Sequence, residues 1–168
     1  MPNHITNIIT ITAPEGRTIQ EVLDYVKTED TQFDFNTLIP MPEEIKQSFG
    51  TPGISPPWYD WSVKNWGTKW NAYEIAAHDQ GVKFETAWNA PTPIFEALAK
   101  KFPDYSFDFK YADEDTGYNF GHLKIDSIGT LVYSLPEKGT PAANKWVFDN
   151  VYERPDYYDE EGNYIGEE

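Results

Sequence analysis

Apolar and polar positions alternate along the chain in short runs whose period changes from one run to the next. Over residues 5–13, Ile5, Ile9 and Ile11 fall on one face and Thr6, Thr10 and Thr12 on the other, which predicts a strand. Pro14-Glu15-Gly16 ends it. Ile19, Val22, Leu23 and Val26 then recur at helical spacing, and Thr18-Ile-Gln-Glu21 has the form of a capping box. Residues 17–27 therefore read as an amphipathic helix. Alternation returns over residues 32–39, where Phe33, Phe35, Thr37 and Ile39 share one face of a second predicted strand. A strand, a helix and a strand in that order point to parallel strands joined by a right-handed crossover.

Residues 40–67 break the pattern with Pro40, Pro42, Pro52, Pro56, Pro57 and Gly50, Gly53, Gly67. Short helices over 43–49 and 58–66 fit inside this stretch. An insertion of such length in a small domain is usually functional, or covers a sheet face. Regular pattern resumes with a hairpin, 72–78 and 82–88, turning at Asp79-Gln80-Gly81. Thr92-Pro93 opens a helix that runs to Phe102 and stops at Pro103. Tyr105, Phe107, Phe109 and Tyr111 alternate with Ser106, Asp108 and Lys110 in the clearest strand of the chain. A second hairpin, 118–126 and 130–135, and a helix over 142–151 complete the series. The order predicts an α+β fold, a ferredoxin-like split βαβ sandwich with extra strands and a long Trp/Pro-rich insertion over about 40–71. One domain over 1–152 and an acidic tail over 153–168 follow from it. The tail's aromatics suggest docking, and its Asp159-to-Tyr164 stretch suggests a turn between two short strands.

Composition narrows the function. The chain of 168 residues has 28 Asp+Glu against 13 Lys+Arg, a formal net charge of −15, and no Cys. Without Cys there is no disulfide, thiolate zinc site or Fe–S cluster, so "ferredoxin-like" describes topology alone. Seven of the acids and one base lie in residues 153–168. A field this negative disfavours direct nucleic-acid binding and anionic membranes, both of which reward positive charge. It leaves solubility, or an acidic face that occupies a basic host protein as a DNA mimic would. No basic and apolar leader stands at the start and no run of about 18 apolar residues occurs, so a cytoplasmic location is expected.

The segment that stands out is 58–71, which holds four of the six Trp. Trp58, Trp61, Trp66 and Trp70 can stack on a flat ring, Lys64 and Lys69 can meet an anionic group, and Asn65 and Asn71 can orient a ligand. Each Trp taken singly reads first as core. The combination reads as a pocket for a small anionic, nucleotide-like ligand. His4, His78 and His122 fall in three separate strands without a carboxylate at metal-ligand spacing, so no metal is expected. Asp113-Glu114-Asp115 lacks the rest of a calcium loop and reads as a solvated turn. No phosphate-binding glycine loop, nucleophile elbow or metalloprotease motif occurs, so no enzymatic activity and no cofactor are expected.

Met1-Pro-Asn-His-Ile-Thr-Asn7, Phe35-Asn-Thr-Leu-Ile-Pro-Met-Pro-Glu-Glu44, Asn65-Trp-Gly-Thr-Lys-Trp-Asn-Ala72, Phe84-Glu-Thr-Ala-Trp88 and Lys100-Lys-Phe-Pro103 together resemble the YubB-like family of small phage and plasmid proteins with a ferredoxin-like domain. The resemblance covers most of residues 1–135 and brings no catalytic residues. It implies a mobile-element origin and a bacterial host cytoplasm. The expectation is a non-enzymatic binding protein, a counter-defence factor holding a nucleotide-like signal. The alternative is an acidic inhibitor of a basic host protein. A free sheet edge would also allow a homodimer.

Overall fold

The computed structural model describes residues 1–49 and 56–166; residues 50–55 of the insertion and 167–168 of the tail lie outside them. Six strands form one antiparallel sheet: β1 (His4–Thr12), β2 (Tyr73–His78), β3 (Gly81–Ala87), β4 (Ser106–Asp113), β5 (Phe120–Ile125) and β6 (Thr130–Val132), in the order β2-β3-β1-β4-β5-β6. The helices are α1 (Gln20–Val26), α2 (Glu43–Lys46), α3 (Pro57–Asn65), α4 (Thr92–Lys101) and α5 (Pro141–Asn150). The first four strands, with α1 and α4, have the ferredoxin-like order. Strand β3 lies between β1 and β2, and β1 lies between β3 and β4. Strands β5 and β6 extend the sheet beyond β4. The fold is the α+β class and topology expected.

One predicted element is absent. Residues 32–39 do not join the sheet, and Phe35–Thr37 is a 3-10 turn. The local backbone groups bond to side chains instead of to a strand. The Phe35 N–H donates to Asn71 Oδ1 at 2.9 Å, and the Asn36 N–H donates to Asp34 Oδ1 at 2.9 Å. The Met41 N–H donates to Asn36 Oδ1 at 2.9 Å. Phe33 and Phe35 both enter the core, where each packs edge-on against Phe84. Their alternation thus reflects core entry without a strand. The crossover from β1 ends at β2, so the insertion lies within it.

Helix α1 also starts later than its pattern suggests. Ile19 occupies the N-cap without a side-chain bond. The Glu21 carboxylate of the expected capping box is instead paired with Arg17, one turn back. The β2–β3 turn falls as expected at Asp79-Gln80. Gly81 is required there, because a Cβ would come 1.9 Å from the Ile9 carbonyl oxygen.

The main core fills the sheet face covered by α1, α4 and the insertion. Ile5, Ile9, Phe84, Phe107 and Phe109 rise from the strands to meet Val22, Ile94, Phe95 and Leu98. Phe95 stacks on Phe109 with ring centroids 4.2 Å apart. The opposite face carries a smaller core, in which Ala143, Val147 and Val151 pack on Ile8, Ala112 and Phe120. Thr140 caps α5 by accepting from the Ala143 N–H at 3.2 Å. The chain after α5 folds back on it: Phe148 packs against Tyr157 and Tyr158, and Tyr158 forms a β-bridge with Tyr164. The turn over 159–164 expected in the tail is therefore present, with Asp159 Oδ1 accepting from the Asn163 N–H at 2.8 Å.

Truncating Phe95 to Ala removes a fully buried ring and leaves a cavity under α4. The unfolding free energy should fall by about 3–5 kcal/mol in urea denaturation, with an unchanged slope. A loss below about 1 kcal/mol would contradict this packing.

Candidate functional site

The insertion leaves an open cleft of about 610 Å³ between α2, α3 and the start of β2. Its walls are mostly apolar, from Met41, Phe49, Trp66 and Trp70, with Lys46 and Lys69 contributing the charges. The volume lies within the ordinary range for small-molecule sites.

Each wall has a local cause. Pro57 occupies the first turn of α3, where its missing N–H costs nothing. At the other end, the Trp66 N–H bonds back to the Ser62 carbonyl at 2.8 Å. Trp66 is 3% exposed, and its indole N–H donates to the Ile39 carbonyl at 2.9 Å. It meets Phe35 and Trp61 edge-on, and so joins the insertion to the main core. Asn71 is a clasp: its Oδ1 accepts from the N–H groups of Phe35 and Ala72, both at 2.9 Å, and its Nδ2 donates to Asp34 Oδ1 at 2.8 Å.

Of the eight residues singled out in the sequence, Trp66, Lys69, Trp70 and Asn71 line the cleft, and Trp58, Trp61, Lys64 and Asn65 do not. Trp58 stacks on Phe49 behind the wall, at 5.0 Å between centroids. Trp61 packs against the core. Lys64 is exposed on α3. Asn65 donates to the Trp61 carbonyl at 2.9 Å within its own helix. Of the two Asn side chains expected to orient a ligand, Asn65 lies outside the lining, and Asn71 lines the cleft with its oxygen and one N–H engaged in internal hydrogen bonds. Lining residues that spacing missed are Asn36, Met41, Lys46, Phe49, Ser62 and Tyr73. They come from the 3-10 turn, α2, α3, β2 and the chain on either side of α2, and no local pattern links them.

Lys69 is the best-placed cation. Its ammonium lies 4.3 Å from the Trp70 ring centroid and 4.8 Å from that of Trp88. Trp88 has φ +68°, a conformation that costs a bulky residue energy. It is held there at both backbone groups: its N–H donates to the Asn3 carbonyl at 2.9 Å, and its carbonyl accepts from Asn119 Nδ2 at 3.3 Å. Tyr73 closes the next side, edge-on to Trp70. Its hydroxyl shares a 2.7 Å hydrogen bond with His4 Nδ1, and burial, reinforced by the Glu85 and Glu114 charges, pushes its pKa up to about 12.

The histidines are separate. His122 pairs with Asp108 at 2.7 Å across β4 and β5 and stacks on Tyr133, on the far sheet face. Sequence spacing could not reveal that pair, because only the strand register opposes them. Asp113, expected in a solvated turn, is 7% exposed and accepts from the Asp115 N–H and from Asn3 Nδ2. Among the described residues, no three His, Asp or Glu side chains are placed to hold one metal ion. None of the described helices is long and apolar enough to cross a membrane.

Residues 65–154 match the family described as "Ferredoxin-like domain in Api92-like protein". The chain belongs to that family. The match begins at Asn65, so the cleft takes Trp66, Lys69, Trp70, Asn71 and Tyr73 from the family region and its remaining wall from the preceding 64 residues. A crystal structure of a protein Api92 from Yersinia pseudotuberculosis is similar over 61% of this chain and 40% of that one, at 16% identity and a TM-score of 0.46. No curated protein matches.

Two substitutions separate wall from scaffold in this Api92-like domain. Trp66→Ala should cost about 3–5 kcal/mol in urea denaturation, whereas Trp70→Ala should stay within about 1 kcal/mol of the parent. Asn71→Ala leaves the Phe35 N–H and the Asp34 carboxylate short of partners and should cost about 1–3 kcal/mol. Tyr73 adds a pH effect. The unfolded tyrosine ionises near pH 10 and the folded one near 12, so the unfolded state binds fewer protons between those values. Stability should therefore fall as pH rises through that window. Tyr73→Phe should remove part of the fall in melting temperature; an unchanged fall would show that Tyr73 does not contribute.

Proposed function

We propose that this domain is a non-catalytic binding module that holds a small organic anion with a flat apolar body in the cleft between α2, α3 and β2. The observation that carries the reading is the pairing of an aromatic wall, Phe49, Trp66 and Trp70, with two lysines, Lys46 and Lys69, on an otherwise strongly acidic protein. Burying ring surface against these walls contributes about 25 cal/mol per Å² before the entropic cost of association, and the lysines favour a negative end. A nucleotide-like ligand shares this chemistry of ring and anion. The likeness to YubB-like phage and plasmid proteins supports a mobile-element setting in a bacterial cytoplasm. In that setting, a non-enzymatic binder would act as a counter-defence factor by sequestering a nucleotide-type signal.

A second reading rests on the charge. Residues 153–166 fold against α5, so the exposed Asp156, Glu160 and Glu161 are presented on an ordered surface. An acidic face packed on a helix in this way suits a basic host protein.

Native mass spectrometry of the protein purified from bacteria tests the first reading. The expected result is an added mass of small-molecule size that disappears on denaturation and is lost in Trp70→Ala. A bare mass instead favours the second reading. That reading predicts capture of a basic protein that weakens steeply as salt rises from about 50 to 300 mM.

A further inference from the structure

The cleft offers a ligand few free neutral hydrogen-bonding groups. Its polar lining side chains are turned to internal work. Asn71 has both oxygen lone pairs and one N–H engaged. Asn36 donates to Asp34 Oδ1 at 2.9 Å and accepts from the Met41 N–H at 2.9 Å. Ser62 is fully buried and gives its hydroxyl proton to the Trp58 carbonyl at 2.7 Å. The Trp66 indole N–H is bound to Ile39, and the Tyr73 hydroxyl is bound to His4. What stays available is mainly ring surface and two ammonium groups, with one amide N–H each on Asn36 and Asn71. Lys46 is only loosely paired, at 3.8 Å from Glu43, and Lys69 is held over Trp70 and Trp88.

A nucleobase brought into such a cleft gives up its hydrogen bonds to water along the Watson–Crick edge and finds fewer partners than that edge has groups, since only single N–H groups of Asn36 and Asn71 are left over. A site short of such partners discriminates mainly by shape, whereas one built to hydrogen-bond a ligand edge can reject an analogue by about 10⁴-fold or more. A fused-ring hydrocarbon bearing one carboxylate or other anionic group loses nothing of this kind. Its body meets the aromatic wall, and its charge reaches Lys46 or Lys69.

Resting on the reading of the cleft as an anion site, and departing from its nucleotide-like version, we infer that the cleft selects an aromatic organic anion by ring area and charge, and does not read base identity. Lys69 serves as the anion anchor. The flanking Trp faces hold its ammonium at the mouth of the cleft, so little side-chain freedom remains to be lost on binding.

Isothermal titration of the full chain with three probes decides it: 1-naphthylacetate, its neutral analogue 2-(1-naphthyl)ethanol, and adenosine 5′-monophosphate. The naphthylacetate should bind about tenfold more tightly than either of the others. Lys46→Gln and Lys69→Gln should each weaken the naphthylacetate by about three- to tenfold and leave the alcohol unchanged. The ranking on the unaltered protein needs neither variant to fold. Adenosine monophosphate binding as tightly as naphthylacetate, or the alcohol matching the anion, overturns this inference and leaves the cleft a ligand site. No heat with any of the three at millimolar concentration overturns both the inference and the cleft reading.

Discussion

The Asp34 carboxylate joins two stretches of chain 37 residues apart, and the geometry of the cleft depends on that bond. Its Oδ1 accepts from the Asn36 backbone and side chain and from Asn71 Nδ2. Asn71 in turn accepts from the Phe35 N–H. This network replaces the strand pairing that residues 32–39 would otherwise need, because every polar backbone group in a buried segment must find a partner. It also sets the start of β2 beside the 3-10 turn. Trp66 adds the apolar half of the same joint by packing on Phe35 and bonding to Ile39.

The joint makes an irregular insertion compatible with a regular sheet. The crossover between β1 and β2 is long, and most of it must lie against the sheet face without a ladder of its own. Side-chain amides and one indole N–H do the work of a strand there. The consequence is a wall whose neutral polar groups are mostly engaged internally, while its rings and lysines remain available to a ligand. Chemistry at the cleft thus follows from how the insertion is fastened.

The negative charge acts on a different scale. It is spread over the body and concentrated after α5, where Tyr157, Tyr158 and Tyr164 tie the tail to Phe148. These aromatics keep the acids on a folded surface. The cleft lysines come from α2 and from the segment just before β2. A negative overall field disfavours approach of anions at long range, so affinity for one must come from close contact with Lys46 and Lys69.

Strong local periodicity made β1, β4, α4 and the two hairpins legible, because their residue spacing follows the strand or helix period. The same rule failed at residues 32–39, where Phe33 and Phe35 enter the core from an irregular segment and imitate a strand. The Trp/Lys/Asn cluster was visible as composition, but its division was not. Trp66 became scaffold and wall, Trp70 and Lys69 became wall, Asn71 became a clasp, and Trp58, Trp61, Lys64 and Asn65 lay outside the cleft. The sequence by itself determined the ferredoxin-like class, the acidity and the region of the cleft, since these rest on short-range pattern and composition. Only the tertiary structure decided which rings face solvent, how the amides are engaged, that Lys46, Phe49 and Tyr73 line the same cleft as Lys69, and that Trp88 lies beside the Lys69 ammonium. Those choices depend on hydrogen bonds and packing between residues far apart in the chain, which no local pattern encodes.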